Sequence, residues 1–270
     1  MTVVDRALRS QRLRNQFYRA SKIPGLKVLQ RTFARRVVPV GQMRWITVPE
    51  GLNAGLAMQV DPRSEVGYLR GDHEPWIQDL LTEWLSPGAM FIDVGSHVGF
   101  FTMAASRLVG DAGTVIAVEP DSTTFRRLEL HISRNALANV RLHAAAASAS
   151  VGTVQFASSL ASDSGVRGSV VETPSDTSYS VDATTLDELS RKATPAVVKI
   201  DVEGGEVAAL SGASGLLRQH TSKWIVEVHS ETLRKEVCGL FEAAGYEFEH
   251  TSPRRGDYGQ DYVIALPERS

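Results

Sequence analysis

Cysteine is almost missing from these 270 residues: Cys238 stands alone. One thiol excludes an internal disulfide framework and points to a reducing compartment. No histidine lies beside it, so it reads as filler on an amphipathic helix. No apolar run approaches the ~18 residues of a membrane span. No continuous apolar segment follows the first basic residues either, so a secretion signal is not expected and a cytoplasmic protein is. No Cys/His cluster has zinc spacing, and no internal repeat recurs at solenoid periods. Acids are scarce at one end only. Residues 1–45 hold eleven Lys/Arg and a single acid, Asp5, whereas the other 225 residues hold thirty acids against eighteen Lys/Arg. A basic arm therefore precedes an acidic body.

The arm reads as helical and amphipathic. Across residues 5–36, Arg6, Arg9, Arg12, Arg14 and Arg19 flank an apolar strip of Ala7, Leu8, Leu13, Phe17 and Tyr18. Surface-lying membrane helices have this form, and anionic headgroups attract such residues. Peripheral contact with the inner face of a membrane is one expectation. Packing of the arm on the acidic body, in the same chain or a homodimer partner, suits the charge balance equally. No base-reading motif accompanies the charge, so nucleic acid is not expected. Short strands and turns follow over residues 37–70. The domain reading is an N-terminal extension, 1–70, and a catalytic-type domain, 71–270.

From residue 71 the chain alternates regularly. Apolar strand-like runs, "AMFIDVG", "TVIAVEP", "NVRLHAAAA", "AVVKIDV" and "KWIVEVH", are separated by helical segments. "EVAALSGASGLL" reads as one helix, and "TTLDEL" opens another with Thr185 and Glu188 at capping-box spacing. Residues 158–180, rich in Ser, Asp and Gly, read as a loop. Nearly continuous apolar strands between helices mean a parallel sheet covered on both faces. The last two strands are joined by a short turn-rich loop, so the final strand is expected antiparallel.

Ligands of such sheets bind beyond the carboxyl ends of the strands, and there the acids collect. "FIDVGSHVGFF" ends a strand on Asp93 and turns between Gly95 and Gly99 through Ser96 and His97. Its G-x-x-x-G spacing lacks the central glycine of the dinucleotide fingerprint, which argues against a nicotinamide dehydrogenase. "VIAVEP" ends on Glu119, placed to accept from both ribose hydroxyls of a nucleoside, followed by Pro120 and Asp121; Asp121 also suits a helix N-cap. "KIDVEGGE" ends on Asp201 and Glu203 before Gly204 and Gly205, and "WIVEVHSE" ends on Glu227 and His229. Glu74, in "GDHEPW", is placed either to reach over the first strand tip or to head a helix. The plain alternative is a charge that complements a helix dipole for Glu203 and Glu74, a simple tight turn for the Asp93 motif, and a solvated loop acid for Glu119.

Together, "FIDVGSHVGFFT", "VIAVEP", "TTLDEL", "VVKIDVEGGEVAALSGA" and "VEVH" resemble the FkbM-type methyltransferases over about residues 70–265. The resemblance implies a Rossmann-like α/β fold of class I, with a seven-stranded mostly parallel sheet and an antiparallel last strand. It also implies S-adenosylmethionine as methyl donor and O-methylation of a hydroxyl on a sugar, glycolipid, glycan or polyketide. Asp93, Gly95 and Gly99 match the family's donor-binding turn and Glu119 its ribose-binding acid. Asp201, Glu203, Glu227 and His229 match its strand-end acids and histidine. Ser96-His97 departs mildly from the Ala-Asn or Ala-His usual there. His229 is the preferred base, because an imidazole near its ordinary pKa suits neutral pH, and Asp201 is second. Mg²⁺ held by Asp201, Glu203, Glu227 and His229 is the alternative. A non-catalytic nucleoside-binding module is the rival of another class.

Overall fold

The structure is a computed structural model, and it describes residues 41–159, 167–171, 178–252 and 261–268. The basic arm lies outside the described residues. The chain divides into two compact units, the first ending at His73 and the main body of the second beginning at Glu74. In the first unit, β1 (Arg44–Thr47) and β2 (Ala57–Val60) form an antiparallel hairpin, followed by a short helix, α1 (Val66–Arg70).

The second unit opens with α2 (Pro75–Trp84). Then come β3 (Met90–Val94), α3 (Phe100–Val109), β4 (Thr114–Val118), α4 (Ser122–Arg134) and β5 (Val140–His143). A small inserted sheet follows, with β6 (Ala146–Ala147), β7 (Gly152–Ser159), β8 (Arg167–Val170) and β9 (Ser178–Thr184) in the order β6-β9-β7-β8. The main pattern resumes with α5 (Leu186–Leu189), β10 (Val197–Ile200), α6 (Glu206–Ser211), α7 (Ser214–Gln219), β11 (Lys223–Val228), α8 (Glu231–Ala243), β12 (Glu247–Thr251) and β13 (Asp261–Leu266). The main sheet runs β12-β13-β11-β10-β3-β4-β5. Only β13 is antiparallel to its neighbours, as the short final loop requires. The seven-stranded, mostly parallel sheet with an antiparallel last strand is thus observed. Among the described residues, no helix is long and apolar enough to cross a membrane.

Three local expectations change. "NVRLHAAAA" is two strands, because Ala146 and Ala147 leave the main sheet to pair with β9. "EVAALSGASGLL" is two helices. Gly212 lies against the Ser148 carbonyl so closely that a Cβ would come within 2.1 Å of it, and the helix breaks there. Parts of 158–180 are strands: β8 and β9 both pair with β7, and Phe156 meets Tyr179 edge to face. Thr185 does cap α5, accepting from the Glu188 amide.

The two faces of the main sheet differ in kind. Ile92, Val94, Ile116, Val118, Val198, Ile200, Trp224, Val226 and Val263 join one apolar cluster with Leu210, Leu217, Val237 and Phe241 from the helices beneath. Alternation puts Asp93, Lys199, Glu227 and Tyr262 on the opposite face; Lys199 is in register with Asp93, and Glu227 with Tyr262. The chain runs outward from β3 through β4 to β5, then returns to β10 on β3's other side. The β3/β10 boundary is therefore the topological switch point, where open α/β sheets hold ligands. The turns after these strands are pressed together. Gly95, at φ +71°, would put a Cβ 1.8 Å from the Asp201 carbonyl oxygen. Gly95→Ala is expected to lower stability by about 2–4 kcal/mol through backbone displacement and strain. Calorimetric unfolding checks this, and a change below about 0.5 kcal/mol contradicts the close packing of the turns.

Candidate active site

Four strand ends meet at the switch point. Asp93 is buried, and its Oδ2 accepts from Thr102 Oγ1 of α3 at 2.6 Å. Its Oδ1 is buried with no hydrogen-bond partner, and the same is true of Ser96 Oγ in the next turn. Burial pushes the Asp93 carboxyl up, against the pull of Lys199. The turn is held from two sides. His97 lies in the left-handed region and its amide donates to Glu119 Oε2 at 2.9 Å. Fully buried His131 of α4 has Nδ1 2.7 Å from the Val98 carbonyl oxygen. A Cβ on Gly99 would meet Leu128 of the same helix at 2.4 Å, so α4 also sets the helix start.

Glu119 ends β4 with both oxygens engaged, Oε1 by the Asp121 amide and Oε2 by His97. Each oxygen keeps a further lone pair. Burial pushes its pKa up to about 7, although these two bonds oppose the shift. Asp121, beyond Pro120, is the N-cap of α4, accepting from the Thr123 and Thr124 amides, and it also accepts from Tyr179 of the inserted sheet at 3.1 Å. Its capping role is the one its position suggested; the tyrosine was not foreseen.

Lys199 was missed altogether. It is 2% exposed, with Nζ 3.0 Å from Asp201 Oδ2 and 5.2 Å from the centre of the Phe101 ring. Burial disfavours its charge, but Asp201, Asp93, Glu74 and Glu227 together hold the ammonium above the usual lysine range. Glu74 does reach this cluster. It starts α2 from the left-handed region, and burial first, then the Asp201 and Glu227 charges, push its pKa up to about 8 against Lys199. Tyr262 donates to Glu227 Oε2 at 3.0 Å, and burial with the surrounding carboxylates keeps the phenol protonated.

His229 completes the group. Its Nδ1 lies 2.5 Å from Oε1 of fully buried Glu206, the other residue that was missed as part of the site. Its Nε2 faces Glu203 Oε2 at 3.3 Å, Glu227 Oε1 at 3.5 Å and Asp201 Oδ1 at 3.9 Å. Burial opposes the charged ring, but these four carboxylates outweigh it and push His229 up to about 10. That lies well above the ordinary value on which the reading of His229 as a base rests. Strain gathers at the same place. Of the five non-glycine residues described at positive φ, Glu74, His97 and Glu203 are all in this site.

Asp201, Glu227 and His229 present three ligand atoms within 4.8 Å of one another. The set does not fit Mg²⁺. That ion prefers an octahedron of oxygens, and one of the three atoms offered here is a ring nitrogen.

A class I methyltransferase sheet with its strand-end acids is the architecture these observations define. A family model, the methyltransferase FkbM domain, matches residues 93–248. The hexuronic acid methyltransferase AglP of Haloferax volcanii is 31% identical over 196 residues, covering 73% of this chain and 77% of AglP. The crystal structure of methyltransferase FkbM from Methylobacillus flagellatus superposes with a TM-score of 0.50 at 16% identity. That match covers 74% of this chain and 52% of that one, so the chain spans about half the length of that solved relative. A SAM-dependent O-methyltransferase from Thermotoga maritima matches at a TM-score of 0.47 and 10% identity, over 86% of this chain and 79% of that one. The chain belongs to the FkbM methyltransferase family, and it is an S-adenosylmethionine-dependent methyltransferase. The dehydrogenase reading is thereby set aside.

The donor suits the residues present: the unpartnered Asp93 Oδ1 matches an ammonium, Ser96 Oγ a carboxylate or hydroxyl, and the spare Glu119 lone pairs a ribose diol. The charges also fix how stability varies with pH. Glu74 ionises at about 8 when folded against an ordinary 4.5, and His229 at about 10 against 6.5. Both folded values are raised, so each contribution is complete below the ordinary value and is lost as pH rises through the folded one. Glu74→Gln is expected to flatten the decline in melting temperature between about pH 4.5 and 8, and His229→Gln the decline between about pH 6.5 and 10. Scanning calorimetry across these pH values checks both, and curves parallel to the wild type contradict the assignment.

Proposed function

We propose that the protein transfers a methyl group from S-adenosylmethionine to a hydroxyl of a sugar, free or within a glycan or lipid-linked saccharide. One observation carries the proposal: Asp201 Oδ1 and His229 Nε2 face each other 3.9 Å apart, beside the strand that ends on Asp93. A hydroxyl oxygen seated off the line between them accepts from the imidazolium and donates to the carboxylate. The name of the relative AglP, a hexuronic acid methyltransferase, supports a carbohydrate acceptor.

The donor, when bound, supplies a methyl on a sulfonium centre that needs no further activation. Asp93, Ser96 and Glu119 hold it in this reading, with His97 and Asp121 bracing Glu119. The chain's remaining tasks are to orient the hydroxyl and to take its proton. His229 orients the oxygen through Nε2–H. Asp201 takes the proton on Oδ1, while Lys199 fixes Oδ2. Glu227 and Glu203 keep the imidazolium charged, and Glu74 closes the side toward α2. The basic arm, 5–36, belongs to the same reading as a device that brings the enzyme to an anionic surface where lipid-linked saccharides are presented.

Labelled donor incubated with a lysate fractionated into polar, glycan and lipid pools is expected to label the carbohydrate-bearing material. With that acceptor, Asp201→Asn should lower kcat about 10²- to 10⁴-fold, leaving the donor Kd within about threefold. EDTA should leave the wild-type rate unchanged. Label confined to carbohydrate-free material, a variant within about twofold of wild type, or a chelation loss that Mg²⁺ restores contradicts the proposal.

A further inference from the structure

Two acids of "KIDVEGGE" stand at the site by position, but the third, Glu206, is hidden inside it. Glu206 is the first residue of α6 and fully buried. Its Oε1 accepts from the Gly204 amide at 3.0 Å and lies 2.5 Å from His229 Nδ1. An acid in the first turn of a helix ordinarily complements the dipole from the surface. A carboxylate with no water to solvate it requires a charged or hydrogen-bonded partner, and the ring of His229 is that partner.

We propose that Glu206 is a positioning residue for methyl transfer: it holds His229 with Nδ1 protonated and the ring turned so that Nε2–H points at the acceptor oxygen. The geometry leaves the ring one orientation. With Nδ1–H given to Glu206, Nε2 is the nitrogen that faces Glu203, Glu227 and Asp201. The same Glu206 oxygen ties down Gly204, which at φ +106° is the pivot of the turn carrying Asp201 and Glu203. One buried carboxylate thus fixes both walls of the proposed hydroxyl seat, the ring just after β11 and the acids after β10. The charged groups facing the ring are Asp201 and Glu203 from the turn after β10, Glu206 from α6 and Glu227 from its own strand. Lys199 lies behind Asp201. The proton taken from the acceptor still goes to Asp201 Oδ1; Glu206 and the Nδ1 proton are unchanged through the reaction. This role rests on the reading of the hydroxyl seat given above.

Long-range ¹H–¹⁵N spectra of the histidine rings in the full chain test it, with His229 assigned by its loss in His229→Gln. In the wild type at pH 7.5, both His229 nitrogens are expected in the protonated form, with a slowly exchanging Nδ1 proton. Glu206→Gln should lower the midpoint of the ring by at least about 1.5 pH units. With the acceptor pool above, it should lower kcat at least about tenfold while the S-adenosylmethionine Kd stays within about threefold. Glu206→Asp should restore part of both. A purely structural cap on Gly204 would leave the ring midpoint where it was, and that result overturns the proposal. If Glu206→Gln does not fold, the wild-type spectrum decides, since an unprotonated Nδ1 overturns the proposal by itself. These spectra need no acceptor. Failure of the sugar reading therefore appears as absent transfer by the wild type, separately from failure of the Glu206 assignment.

Discussion

Lys199 lies on β10 between Asp93 on β3 and Ile225 on β11, two residues before Glu227, and is 2% exposed with its ammonium 3.0 Å from Asp201. Bringing that charge out of water costs several kcal/mol unless carboxylates surround it. The same holds in reverse for the acids. Buried Asp93 and Glu227 converge with half-buried Asp201 and Glu74, and the lysine is their common counter-charge. The remaining strand-end geometry follows from this constraint. Asp201 is drawn inward by Oδ2, so Oδ1 looks toward His229, and the ring is in turn fixed by Glu206 from the other side.

The rest of the fold insulates that group. One face of the sheet is an apolar layer against α5 to α8. The other face carries the whole row of ionisable groups. There Phe101 of α3 lies under the Lys199 ammonium, and Trp76 of α2 packs edge to face on Tyr262. Low dielectric strengthens each interaction in the row and makes each misplacement expensive. That accounts for the close-packed glycine at 95 and for left-handed residues at 74, 97 and 203, where a relaxed backbone would move a functional side chain.

Much of this was legible before the structure. Acids at the ends of apolar runs, followed by glycines after Asp93 and Asp201 and by Pro120 after Glu119, gave these three their places, because strand ends and tight turns follow from period and side-chain size. The antiparallel β13 followed from loop length. What stayed hidden was hidden for physical reasons. Lys199 interrupts "AVVKIDV" no more than a lysine whose stem covers apolar surface would, and sequence carries no sign that its head is enclosed. Glu206 has the spacing of an ordinary dipole-complementing acid. "GTVQFAS" read as a strand-like insert, but β8 and the start of β9 are short and polar, so composition imitated a loop over 158–180. The raised pKa of His229 depends on four carboxylates from three elements, a convergence that exists only after folding.

The central claim is that the site has two separable halves, a donor half after β3 and β4 and a proton-handling half after β10 and β11. Calorimetric titration of S-adenosylmethionine into Asp93→Asn, Glu119→Gln and His229→Gln tests it most directly. The account predicts donor affinity weakened about 30-fold or more in the first two and within about threefold of wild type in the third. Equal weakening in all three, or full affinity in Glu119→Gln, would contradict it.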